Sequence, residues 1–198
     1  MVNIDNMPCA VHSIPRWKDY ADRHGYTFVE HTESLPGRHP YFASVFAARE
    51  LLKYGDVLLI DADTIPHPEA DDIAGEIGYG YDMAAVLNDL IWVGYDNGML
   101  ERCRDYVNAI VDPDHPCINA GVIYLKQQCF NLIDWSLPEM SEWPYDQDWW
   151  NLQIIRGEVT CRLLGAGWNW MKVPKIPGIK IRHFVWDFKA DMEDYKFL

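Results

Sequence analysis

The sequence predicts an α/β protein with a mainly parallel central sheet flanked by helices. Three observations carry that expectation. Val57-Leu58-Leu59-Ile60 is an apolar run with two β-branched residues, the signature of a strand buried on both faces. Helix-like and strand-like patterns alternate between residues 13 and 60, which implies crossovers between parallel strands. Hydrophobic residues make up 49% of 198, enough for one sizeable core, so residues 1–198 read as a single domain.

The elements follow in order. Residues 1–7 offer only Val2 and Ile4 as strand material, so any opening strand is short. Ser13 can cap a helix that has Pro15 near its first turn, continues through Trp17 and Tyr20 to His24 and stops at Gly25. Residues 26–29 are strand-like and residues 31–38 form a loop. Pro40 opens a second helix with Phe42, Val45, Phe46 and Leu52 on one face and Gly55 as terminator. After the 57–60 strand, Pro66 and Pro68 interrupt regular structure, and residues 69–76 can form a short helix. Residues 83–87 read as a strand, 88–97 as an irregular segment and 99–111 as a helix. Residues 118–125 read as a strand interrupted by Asn119-Ala120-Gly121. Helices are expected at 128–135, at 146–155 with Gly157 as stop, and at 187–197, with strands at 160–164 and 180–184.

Composition narrows the function. A formal net charge of −13 argues against nucleic acid or an anionic membrane as principal partner. Nine Trp suit stacking on sugar faces, and they suit a well-filled core equally. The five Cys have neither zinc nor redox spacing and read as reduced thiols of a cytoplasmic protein. Neither a signal peptide nor an apolar run long enough to span a bilayer is evident.

Chemistry concentrates where the buried strand ends. Asp61 and Asp63 lie two residues apart, and on extended backbone both point to the same side. Two adjacent anions need a counter-charge, and a hard divalent cation with oxygen ligands supplies it. The structural alternative makes one Asp a turn former and the other a helix cap. Asn119-Ala120-Gly121 lets backbone approach a ligand closely, or is a β-bulge packed on a neighbour. Asp146 and Asp148 suit the positive end of a helix.

Together, Tyr20-Ala21-Asp22-Arg23-His24-Gly25-Tyr26, Asp61-Ala62-Asp63, Asn119-Ala120-Gly121-Val122, Asp146-Gln147-Asp148 with Asn151, and His183-Phe184 resemble a known family. The chain is similar to the metal-dependent GT-A glycosyltransferases, in particular the retaining group of glycogenin and the bacterial lipooligosaccharide galactosyltransferases. Each motif is short; their shared order across residues 20–189 carries the resemblance.

The resemblance implies the GT-A fold and a Mn²⁺ or Mg²⁺ ion held by Asp61, Asp63 and His183. That ion would bridge the diphosphate of a nucleotide sugar, UDP-linked by analogy. Asp61-Ala62-Asp63, Asn119, Ala120, Gly121 and Lys189 would line the donor, with Lys189 on the diphosphate. Asp146 would bond sugar hydroxyls, and Gln147 would sit near the anomeric carbon, its carbonyl facing developing positive charge. The acceptor would be a glycan or other hydroxyl compound, and transfer would retain configuration. One or two of Trp149, Trp150, Trp168 and Trp170 would stack on acceptor sugar and the others would be core.

Plain structural roles stay open beside these: a core histidine for His183, a solvated lysine for Lys189, a helix cap for Asp146. The sequence departs from the resembled pattern at Trp186 and Ala190 in the last loop. It also has Ser44 where many members carry a cation, with Arg49 the nearest substitute. Rival functions are a nucleotidyltransferase or nucleotide-sugar hydrolase on the same fold, and a non-catalytic glycan-binding module. The Gly-rich basic loop of a nucleotidyltransferase is missing from residues 1–14.

Overall fold

A computed structural model describes residues 1–3, 6–34, 37–88, 117–136, 145–171, 177–184, 189 and 191–197. The expected irregular segment beyond Asn88 and the expected helix at 99–111 lie outside the described residues. The strands are β1 (Val57–Ile60), β2 (Thr64–Pro66), β3 (Met83–Leu87), β4 (Ile118–Leu125), β5 (Cys161–Leu164) and β6 (Ile181–His183). The helices are α1 (Ala10–His24), α2 (Ala43–Leu51), α3 (Ile73–Ile77), α4 (Cys129–Leu132) and α5 (Tyr145–Ile155).

The layering is α/β as expected, with helices on both sides of a sheet ordered β1-β4-β3-β5. Strand direction differs from the mainly parallel expectation. β4 inserts between β1 and β3 and runs antiparallel to both, and among the described strands β3 and β5 are the pair that runs parallel. Helix–strand alternation near the N-terminus could not show this, because the strand that separates β1 from β3 comes later in the chain.

Val2 makes single-residue parallel bridges to His31 and Asp61, so the short opening strand shrinks to one residue. The segment 26–29 is not a strand. It is held beside the N-terminus by the Met1 amino group, which donates to the Val29 carbonyl at 2.8 Å.

Alternation along the strands divides the core between two faces. Ala84, Val86, Val122 and Tyr124 pack with Trp17 and Tyr20 of α1 and Ile73 and Ile77 of α3. Met83, Ala85, Ile123 and Leu125 pack with Val45 and Ala48 of α2 and Trp149, Trp150 and Leu152 of α5. Trp149 and Trp150 are fully buried and Trp168 nearly so, which assigns all three to the core and leaves Trp170 half-buried.

Local chemistry explains several boundaries. α1 starts earlier than expected, at Ala10, and Ser13 is no cap: its buried hydroxyl donates to the Thr64 carbonyl at 2.6 Å. The helix ends where expected, because Gly25 takes φ 74° and its N–H bonds the Ala21 carbonyl. Pro40 opens a 3-10 turn, Pro40–Phe42, that leads into α2.

Pro66 does not interrupt the chain as expected. It is the last residue of β2, paired with Ile181 at the end of the ribbon, where a missing N–H is tolerated. In place of the expected closing helix, the described residues show 3-10 backbone at 189 and 191–192, then a turn and irregular backbone to 197. Packing holds them instead: Met192 and Tyr195 cluster with Cys9, Ile65 and Phe184.

Candidate functional site

The site forms where β1 ends and a second, two-stranded ribbon begins. β2 pairs antiparallel with β6 in a register that sets Thr64 opposite His183. The Phe184 N–H then donates to the Asp63 carbonyl at 2.8 Å. Register alone therefore carries a histidine from the far end of the chain to the Asp pair. The turn between the two Asp is fixed from below. Thr64 donates its hydroxyl to the Asp61 carbonyl at 2.7 Å, and the Trp17 indole N–H reaches the Thr64 carbonyl and hydroxyl, both at 3.1 Å. Ala62 is buried in the core between the two carboxylates.

Asp61, Asp63 and His183 each offer one ligand atom, and these atoms lie within 4.8 Å of one another. His183 Nε2 stands 3.1 Å from Asp63 Oδ1 and 3.9 Å from Asp61 Oδ2. Lys189 Nζ lies 2.7 Å from Asp63 Oδ2. Asp63 and His183 are buried, while the Asp61 side chain is 38% exposed and forms the open side of the group.

The electrostatics separate the two carboxyls. Burial would raise Asp63, but His183 and Lys189 outweigh it and hold the group down at about 2. Partial burial and the nearby Asp63 charge push Asp61 up, to about 6. Burial alone would lower His183; the Asp63 carboxylate reverses that and raises it. Two oxygen donors and one imidazole nitrogen, one carboxyl still short of positive charge, suit a hard or borderline divalent cation.

The other expected residues stand close by. Asn119 and Gly121 lie on β4, where its register against β3 shifts between Ala85 and Val86, so the bulge reading and the site reading meet in one feature. The Gly121 carbonyl accepts the Asp61 N–H at 3.0 Å. A Cβ at Gly121 would lie 2.3 Å from His183 Cε1, so the close approach that this glycine permits is made here by the histidine ring. Asn119 Nδ2 donates to Gln147 Oε1 at 2.9 Å, and the Ala120 N–H donates to the same oxygen at 3.3 Å. The Gln147 carbonyl expected to face the anomeric carbon is thus bonded to β4 in this structure.

Asp146 sits in the first turn of α5 and accepts from the Gln147 N–H at 2.9 Å and the Ser44 hydroxyl at 3.2 Å. Burial, then the Asp61 charge, push it up to about 7. Ser44 therefore serves Asp146 where the resemblance leads one to expect a cation, and Arg49 is exposed. Asp148 is buried in the same turn. Trp186 and Ala190 lie outside the described residues.

Sequence reading missed Asn169. It is fully buried, accepts at Oδ1 from His183 Nδ1 at 2.9 Å, and donates from Nδ2 to Asn119 Oδ1 at 2.7 Å. It belongs to a 3-10 turn, Ala166–Asn169, where no periodic pattern marks a side chain as inward. The available signal was compositional: an Asn between two Trp.

No protein-family model matches the chain, and no curated protein does. Solved structures share its fold. One is a glycosyltransferase involved in glycosylation of the major capsid of PBCV-1, 14% identical, with 98% of this chain and 97% of that chain covered at a TM-score of 0.67. Another is the galactosyltransferase LgtC in complex with donor and acceptor sugar analogues, 13% identical, with 98% and 94% covered at 0.59. The chain has the GT-A glycosyltransferase fold.

Proposed function

We propose that the protein is a glycosyltransferase that moves a sugar from a nucleoside-diphosphate donor, UDP-linked, to a hydroxyl of a glycan or other acceptor. The observation that carries this reading is the convergence of Asp61, Asp63 and His183 at the end of β1, in a chain with this fold throughout. These three residues would hold a Mn²⁺ or Mg²⁺ ion. Such an ion, when bound, supplies Lewis-acid neutralisation of the departing diphosphate.

The chain's own groups do the remaining work. Lys189 exchanges Asp63 for a phosphate oxygen once the donor is in place. Asp146 accepts from donor-sugar hydroxyls, and Asn119, Ala120 and Gln147 form the wall beside the sugar. Transfer with retention breaks the bond from the anomeric carbon to the diphosphate oxygen and forms one to the acceptor oxygen on the same face. The acceptor proton passes to the diphosphate, so no side chain is needed as general base.

A thermal-shift panel of nucleotide sugars and free sugars, with and without Mn²⁺, tests the reading. At roughly 100 times Kd a ligand adds about 3 kcal/mol, or roughly 5–10 °C for a chain of this size. UDP-sugars with Mn²⁺ should give such a shift, and Asp63→Ala should lose its metal-dependent part while keeping its fold. A response to free sugars alone, or an unchanged Mn²⁺ effect in the variant, would contradict the assignment.

A further inference from the structure

We infer that Asn169 is a positioning residue, one that dictates which nitrogen of His183 faces the carboxylates and ties that choice to the wall of the sugar site. The inference rests on the metal reading above. It follows from a chain of hydrogen bonds in which every direction is fixed by a backbone group.

A backbone N–H can only donate. The Gly121 N–H points at an Asn119 side-chain atom at 3.0 Å, so that atom is the carbonyl oxygen. The other end of Asn119 is then its amide nitrogen, which donates to Gln147 Oε1. The Ala120 N–H independently marks the same Gln147 atom as oxygen. Asn119 Oδ1 also meets Asn169 at 2.7 Å, and an oxygen can be met there only by a donor. Asn169 therefore turns its NH₂ toward Asn119 and its carbonyl oxygen toward His183 Nδ1, 2.9 Å away. An oxygen accepts, so Nδ1 carries a hydrogen.

The consequence falls on Nε2, the atom that faces Asp63 and Asp61. With Nδ1 holding its proton, the nitrogen free to present a lone pair to a cation is Nε2, and imidazole geometry allows no other arrangement. Asn169 and His183 are both buried, so water cannot readily substitute for the amide. The ring lies against Gly121, where no Cβ intervenes, and that contact limits its tilt. One buried amide thus links the metal ligand to Asn119 and, through it, to Gln147.

The test uses the full chain and Mn²⁺ alone, titrated by electron paramagnetic resonance, with melting temperature measured on each variant. Asn169→Ala should weaken Mn²⁺ binding about 10–100-fold. Asn169→Asp retains an oxygen for the Nδ1–H and should recover most of that affinity, even though it loses the bond to Asn119 and melts lower. A carbonyl that merely filled space would make affinity fall with stability in both variants, and that result would overturn the inference. Mn²⁺ binding in Asn169→Ala equal to the parent would overturn it too, with the metal site intact. A parent that binds no Mn²⁺ would overturn the metal reading itself, and this role with it.

Discussion

Asp146 sits where its surroundings oppose a negative charge. Burial and the Asp61 charge raise its carboxyl from 3.8 to about 7. The folded state therefore holds this proton more tightly than the unfolded state does. The stability it confers is complete below about pH 4 and is lost as pH rises toward about 7. Asp146→Asn removes that loss. In chelator, the variant should match the parent near pH 4 and exceed it above pH 7 by on the order of 2 kcal/mol. Parallel stability curves across that range, from urea melts, would show that Asp146 is not strained by its surroundings. At this scale the sequence was informative where chemistry imposes a pattern. Asp61 and Asp63 stand out because two carboxylates follow a buried run, and His183 through the motif that closes the resemblance. Asn169 leaves no such trace, since its importance comes from partners at positions 119 and 183 that only the fold brings together.

The β2–β6 ribbon turns strand ends into a site, and α1 is its clamp. Trp17 and Ser13 both reach Thr64, the residue directly after Asp63. Trp17→Phe keeps the apolar ring but removes the indole N–H, at a cost of about 1–2 kcal/mol for a buried acceptor left short. Calorimetry should show a melting temperature lower by roughly 2–8 °C, accompanied by several-fold weaker Mn²⁺ binding. A variant that melts lower with Mn²⁺ affinity unchanged would detach the clamp from the site. β1, β3 and β4 could be read from the sequence because continuous burial leaves apolar runs. β2 could not: it spans three residues and ends in Pro66, which by itself signals a break. Strand direction was equally hidden, because the pairing of β4 with β1 and β3 depends on register between segments far apart in the chain.

The whole molecule packs helices on both faces of its sheet and leaves charged groups where β1, β4 and β6 meet. Its negative formal charge of −13 would repel a diphosphate donor unless positive charge were gathered locally. Lys189 and a divalent ion at the Asp pair would gather it. No helix among the described residues is long and apolar enough to cross a membrane. One cation shared by Asp61, Asp63 and His183 would join this fold to its donor. Anomalous diffraction at the manganese edge, from crystals grown with UDP and Mn²⁺, tests it most directly. The expected result is one strong peak about 2.0–2.3 Å from an oxygen of Asp61, an oxygen of Asp63 and Nε2 of His183, with Lys189 moved from Asp63 to a phosphate oxygen. A peak bound elsewhere, or UDP bound with Lys189 still on Asp63 and no manganese between the carboxylates, would contradict it.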